Sequence, residues 1–166
     1  MHTQTLSSIA VYPGTFDPIT CGHTDIIERA SRFFPKIIVA IAAGATKKPL
    51  FSLEERITLA EGVLVSLPNV VIMGFDNLLI DFVKAQGASL IIRGVRVISD
   101  FEYEMELANM NRKLNPEIET IFFTPAPQYT YLSSTRVKEI AAFKGAVTPF
   151  VHPLVAEALA LKARVL

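Results

Sequence analysis

A single cysteine, Cys21, in 166 residues excludes an intrachain disulfide, and a reducing compartment fits such a chain. Net charge is also missing. Sixteen Lys and Arg balance sixteen Asp and Glu, so no overall positive field draws the protein to nucleic acid, and any anion site has to be local. No apolar run approaches the ~18 residues that a membrane span takes. The first residues lack a basic stretch followed by an apolar one, so the expectation is a cytoplasmic protein with no signal peptide and no membrane partner. Several catalytic devices are absent too: zinc-ligand spacing, a G-x-S-x-G elbow, a Walker phosphate loop and an obvious acid–base pair of carboxylates.

What the chain does have is apolar residues, at 51% with a mean hydropathy of +0.39. Buried parallel strands account for such a composition, as does a subunit interface, and the two are compatible. The length suits one domain over residues 1–166, large enough for a real core.

The hydrophobic periodicity predicts strands at 9–12, 37–42, 70–73, 89–92 and 118–123. Helices are expected at 23–34, with Phe33 and Phe34 on its buried face, and from 53 after a Ser52/Glu55 capping box. Further helices are expected at 78–86, ended by Gly87, at 100–114, within 133–144, and from Pro153 with Leu154, Ala158 and Leu161 on one side. In the helix at 100–114, Tyr103, Leu107, Met110 and Leu114 form a stripe that reads as core or subunit interface. This alternation predicts an α/β fold: a Rossmann-like, doubly wound, five-stranded parallel sheet with helices on both faces.

Ligands in such sheets bind beyond the carboxyl ends of the strands, where the strand order reverses. The unusual polar residues all follow strands. The stretch Pro13-Gly14-Thr15-Phe16-Asp17 leads to Gly22-His23 at a helix start, which presents unpaired N–H groups and suits phosphate. Lys47 follows the second strand, Arg93 and Arg96 the fourth, and Ser133, Ser134, Thr135 and Arg136 the fifth. This inventory holds several phosphates and supplies no side-chain nucleophile. It suits phosphoryl or nucleotidyl transfer, which proceeds by alignment and charge stabilisation. A phosphomonoester acceptor, with a second pKa of about 6, is largely ionised at neutral pH and needs no general base. Plainer roles compete: Arg93 and Arg96 can pair with the acidic start of the next helix, and Ser133, Ser134 and Thr135 are ordinary caps.

Thr20-Cys21-Gly22-His23 is the T-x-G-H form of a signature shared by nucleotidyltransferases of this fold, and Leu132-Ser133-Ser134-Thr135-Arg136 resembles their second signature. The residues from Tyr12 to Thr20, Lys47-Lys48-Pro49, Arg93-Gly94-Val95-Arg96 and Asp100-Phe101-Glu102-Tyr103-Glu104 resemble the bacterial phosphopantetheine adenylyltransferase family. The resemblance implies transfer of AMP from ATP to 4′-phosphopantetheine with Mg²⁺, giving 3′-dephospho-CoA and pyrophosphate in the penultimate step of coenzyme A biosynthesis. It implies catalytic roles for Thr15, His23, Lys47 and Arg93. Thr15, Lys47, Arg93 and Leu79 would bind the acceptor. Thr15, Phe16, His23, Gly94, Val95, Arg96, Glu104, Tyr129, Thr130, Tyr131, Leu132, Ser133, Ser134 and Thr135 would bind ATP. It also implies a homohexamer and inhibition by the product CoA, with Cys21 beside the site but outside the chemistry. A nucleotidyltransferase with another phosphate acceptor, or a non-catalytic nucleotide sensor, is the alternative.

Overall fold

The structure is a computed structural model that describes residues 9–44 and 48–163. Strands β1 (Ile9–Gly14), β2 (Lys36–Ala42), β3 (Val70–Phe75), β4 (Leu90–Gly94) and β5 (Glu119–Phe123) form one parallel sheet in the order β3-β2-β1-β4-β5. Helices α1 (Cys21–Ala30), α2 (Leu53–Val63), α3 (Leu79–Ala85), α4 (Ile98–Leu114), α5 (Ser134–Ala142) and α6 (Pro153–Ala163) connect and flank it. Both the parallel sheet and the helices on its two faces match the expectation. Among the described residues no helix is long and apolar enough to cross a membrane.

The central strands are continuously apolar because both of their faces are covered. Ala10, Tyr12, Ile37, Val39 and Ile41 point into a core shared with Ile26 and Ile27 of α1, Ala60 of α2, Val137 of α5, and Val155 and Leu159 of α6. The alternate residues Val11, Ile38, Ala40 and Ile91 pack against Ile80, Phe82 and Val83 of α3. Each buried Val, Leu or Ile among them contributes about 1.5–3 kcal/mol relative to exposure.

Local signals set several boundaries. Ser52 Oγ accepts from Glu55 N (3.1 Å) and Glu55 Oε2 accepts from Ser52 N (2.7 Å), so the capping box forms as expected. Gly87, at φ +66°, ends α3 in the left-handed conformation that glycine takes without steric cost. Other expectations need correction. Helix α1 starts at Cys21 and stops at Ala30. The Asn69 side-chain amide then holds the carbonyls of Ser31 and Phe34, and Phe33 is left exposed. The buried side of α6 is Val155 and Leu159, while Leu154 and Leu161 are exposed. In α4 the buried residues are Glu104 and Ala108; Tyr103, Met110 and Leu114 are exposed, so that stripe is not core in the single chain.

The strand order reverses between β1 and β4. The β1–β2 ladder runs to Gly14↔Ile41, whereas the β1–β4 ladder ends at Val11↔Ile91. Beyond that pair the two strands part, and a crevice opens between Tyr12–Pro13–Gly14 and Ile92–Arg93–Gly94. This is the switch point at which open α/β sheets bind ligands.

Candidate active site

The crevice is a cavity of about 270 Å³ that the ends of β1 and β4, the N-termini of α1, α4 and α5, and Pro125 and Tyr129 enclose. Thr20 is the N-cap of α1 and His23 its third residue. The Thr20 backbone N–H donates to His23 Nδ1 at 3.0 Å, and Thr20 Oγ1 lies 3.0 Å from the same atom. A backbone N–H can only donate, so Nδ1 carries no proton and the neutral ring holds its hydrogen on Nε2. Burial and then the nearby Arg96 and Arg93 charges pull the His23 pKa down to about 4. At neutral pH the ring is therefore an uncharged donor on the cavity wall. The Phe16 ring meets it edge to face, with centroids 5.0 Å apart.

Arg93 bridges the gap between the parted strands. Its Nη1 donates to the Pro13 carbonyl (2.9 Å), and Nε and Nη2 grip both oxygens of Glu104 at 2.6 Å each. Burial works against this guanidinium, but the Glu104 carboxylate outweighs it and holds the pKa above the ordinary value. Glu104 is thus a charged residue on the inward side of α4, beside Ala108, because it fixes the arginine. Arg96 is held likewise, by Asp100 through Nε (2.9 Å) and by the Leu132 carbonyl through Nη1 (2.7 Å). Burial would raise the Asp100 carboxyl, but the Arg96 contact prevails and lowers it. The pairing of both arginines with the start of the next helix, one of the plainer roles, is real. It leaves each guanidinium at the cavity edge in a fixed orientation, with N–H groups to spare.

The third wall is the start of α5. Ser133 caps it by accepting from Arg136 N (3.2 Å), and Ser134 Oγ donates to the Pro18 carbonyl (2.7 Å). Two helix N-termini thus converge on one space, where unpaired N–H groups and partial positive charge favour an anion. Gly94 sits in tight packing: a Cβ there would lie 2.8 Å from Ile26 Cδ1, which would have to shift, and 3.3 Å from the Tyr12 hydroxyl.

Of the residues that the sequence nominated, Thr15, Phe16, His23, Arg93, Gly94, Arg96, Glu104, Tyr129, Leu132, Ser133 and Ser134 line this one cavity. Lys47 lies outside the described residues. Leu79, Val95, Thr130, Tyr131 and Thr135 are not on the cavity wall. Leu79 packs beside the α3 core, Val95 is buried with its N–H on the Phe123 carbonyl, and the Thr130 hydroxyl donates to the Pro127 carbonyl. Tyr131 is exposed against Phe150, and Thr135 is also exposed. Arg93 and Gly94 are the last two residues of β4 rather than a loop after it. Sequence reasoning missed Tyr12 and Asp100 as wall residues. Tyr12 reads as one more apolar strand residue; Asp100 stands four residues after Arg96, a helical spacing that does signal the pair.

Asp17 lies behind the wall. Its carboxylate accepts from Leu50 N and Phe51 N (2.9 Å each) and pairs with Lys138 Nζ at 2.6 Å, joining the β1–α1 loop, the entry to α2 and helix α5. Burial opposes this charge, but Lys138 and the two N–H groups lower its pKa.

A model of the cytidylyltransferase-like family matches residues 11–140. Among solved structures, a Vibrio parahaemolyticus protein assigned as a nicotinate-nucleotide adenylyltransferase superposes with a TM-score of 0.69 at 16% identity, covering 93% of each chain. Plasmodium falciparum nicotinic acid mononucleotide adenylyltransferase superposes with a TM-score of 0.65 at 17% identity, covering 90% of this chain and 92% of that one. A lipopolysaccharide core biosynthesis protein from Thermoplasma volcanium gives 0.53 at 20% identity, over 71% of this chain and 95% of that one. At these identities the likeness is one of fold.

Proposed function

The chain belongs to the cytidylyltransferase-like family, and from that premise we propose that it is an adenylyltransferase that moves AMP from ATP to the phosphate of 4′-phosphopantetheine. The products are 3′-dephospho-CoA and pyrophosphate, and the reaction is reversible. The observation that carries the reading is the His23 ring, neutral and tautomerically fixed, in a cavity where two arginines and two helix N-termini meet.

An oxygen of the acceptor phosphate attacks the α-phosphorus of ATP, and the bond to the bridging oxygen breaks. Pyrophosphate leaves with the electron pair. The attacking oxygen is already ionised, so no side chain has to remove a proton. Charge builds on the α-phosphoryl oxygens and the leaving group, and His23 Nε2–H donates to it. Arg96, the Ser133 hydroxyl and the backbone N–H groups at the α5 N-terminus, that of Ser134 included, hold the nucleotide phosphates; Arg93 and Thr15 align the acceptor, together with Lys47. Glu104 and Asp100 keep the arginines from collapsing onto the substrate. Both of these carboxylates are occupied by arginine, so Mg²⁺ would be held chiefly by the ATP phosphates. When bound it neutralises phosphate charge.

The choice of phosphopantetheine is supported by the run of motifs from Tyr12 to Glu104. The same reading includes a homohexamer and occupation of the site by the product CoA. The two adenylyltransferase neighbours favour a second reading, in which the acceptor is nicotinic acid mononucleotide. Pyrophosphate release from Mg·ATP with each acceptor separates the two. Release with phosphopantetheine alone is expected, and release only with the mononucleotide rejects the first.

A further inference from the structure

Arg56, in the first turns of α2, is 1% exposed, yet it takes part in none of the ion pairs among the described residues. Burial works against its charge, and the Asp17 carboxylate favours that charge only through space; such a buried cation is costly unless its N–H groups are well matched. Here they are matched by main-chain carbonyls alone: Nε donates to Phe51 O (3.1 Å), and Nη1 donates to Thr15 O (2.7 Å) and Ala42 O (2.8 Å). Each carbonyl belongs to chain that is leaving or entering regular structure. Thr15 is the first residue past β1, Ala42 the last of β2, and Phe51 precedes the cap of α2. One rigid fork therefore gathers three segments at the carboxyl edge of the sheet.

The Thr15 carbonyl belongs to the peptide that enters Phe16, and Phe16 has φ +47°, a left-handed conformation that a bulky residue holds only under external constraint. The Phe16 ring in turn packs on His23 and lines the cavity. We propose that Arg56 is a positioning residue for the transfer reaction: its guanidinium fixes the Thr15–Phe16 peptide, and through it the cavity wall against which His23 and the phosphates are aligned. This rests on reading the cavity as a nucleotidyl-transfer site. Lysine keeps the charge and three donors, but all three sit on one nitrogen, so it cannot meet carbonyls arranged around both Nε and Nη1 of the fork.

The test compares Arg56→Lys and Arg56→Met with Leu159→Ala, a core variant of α6 outside the cavity lining. Melting temperature, kcat and KM for pyrophosphate release, and the ¹⁵N amide signals of Thr15 and Phe16 are measured on each. In folded Arg56→Lys, kcat is expected to fall at least ~10-fold, because small misplacements cost that much in reactions driven by alignment. KM for ATP is expected to change less than about threefold, with the Phe16 amide signal displaced. Arg56→Met, which keeps the stem, serves if the lysine variant does not fold. A kcat near wild type, an unmoved Phe16 signal, or a loss no larger than Leu159→Ala shows at equal loss of melting temperature would each overturn the assignment. A wild-type protein that releases no pyrophosphate with any acceptor rejects the transfer reading itself, whereas an active wild type matched by active Arg56→Lys rejects only the role of Arg56.

Discussion

In the proposed transfer, His23 is where the placement of one proton counts. Its Nδ1 is committed to the Thr20 N–H, so the ring can serve the cavity only through Nε2. Removing it as His23→Ala is expected to lower kcat by about 10²–10³, the usual cost of one transition-state donor. The fold should persist at a cost of about 1–2 kcal/mol, since the Thr20 N–H loses its acceptor. Unchanged turnover in a steady-state assay would remove His23 from the mechanism. The same group leaves a mark on stability. Its folded pKa, about 4, lies below the unfolded 6.5, so as pH falls the unfolded chain takes the proton first. Stability is complete above about pH 6.5, declines between there and about pH 4, and loses nothing further from this group below that. Urea melts at pH 7 and pH 4.5 should therefore differ less in His23→Ala than in the wild type. An equal difference in both would show that the ring titrates normally in the folded protein.

At the scale of elements, Asp17 sets how the loops join. Asparagine there loses the Lys138 charge and turns an amide N–H₂ toward one of the two backbone donors. Asp17→Asn is expected to cost about 2 kcal/mol, or roughly 4–8 °C in melting temperature for a chain this long. The wild-type carboxylate has a folded pKa below its unfolded one, so its stabilisation is present above the usual carboxylate range and is lost as pH falls through the lower folded value. A calorimetric scan of Asp17→Asn that matched the wild type would discount the junction. The strands and the Ser52 box were legible in the sequence because each is a local pattern of a few residues. The buried side of α6 was not: apolar residues stand all around Pro153–Ala163, so spacing alone cannot choose a face. Glu104 was readable as an orienter of arginine, since carboxylate and guanidinium form a natural pair. Arg56 was not, because Leu-Glu-Glu-Arg reads as an exposed helix start, and only the carbonyls of distant segments explain its burial.

At the scale of the whole molecule, exposed apolar side chains gather on one helix. On α4, Tyr103 is 61%, Met110 62% and Leu114 59% exposed, and the chain is 51% hydrophobic. Stable interfaces bury about 800 Å² per partner, and obligate ones are the more apolar. Self-association through this helix is therefore the expected state, with the homohexamer as its proposed form, and sedimentation should give a species well above 18.3 kDa. Met110→Lys places a charge on that surface and should shift the protein to smaller species. A wild type that sediments as a single chain at micromolar concentration would refute self-association. The consequence reaches the site, because the adjoining side of the same helix supplies Asp100 and Glu104, which hold Arg96 and Arg93 at the cavity. A helix packed on its outer side fixes those carboxylates more firmly than a helix open to water. The dissociated Met110→Lys protein should thus keep its fold and lose several-fold in kcat, and its turnover should rise with protein concentration as the chains reassemble. Full turnover in the dissociated variant at every concentration would show that the inner and outer sides of α4 act independently.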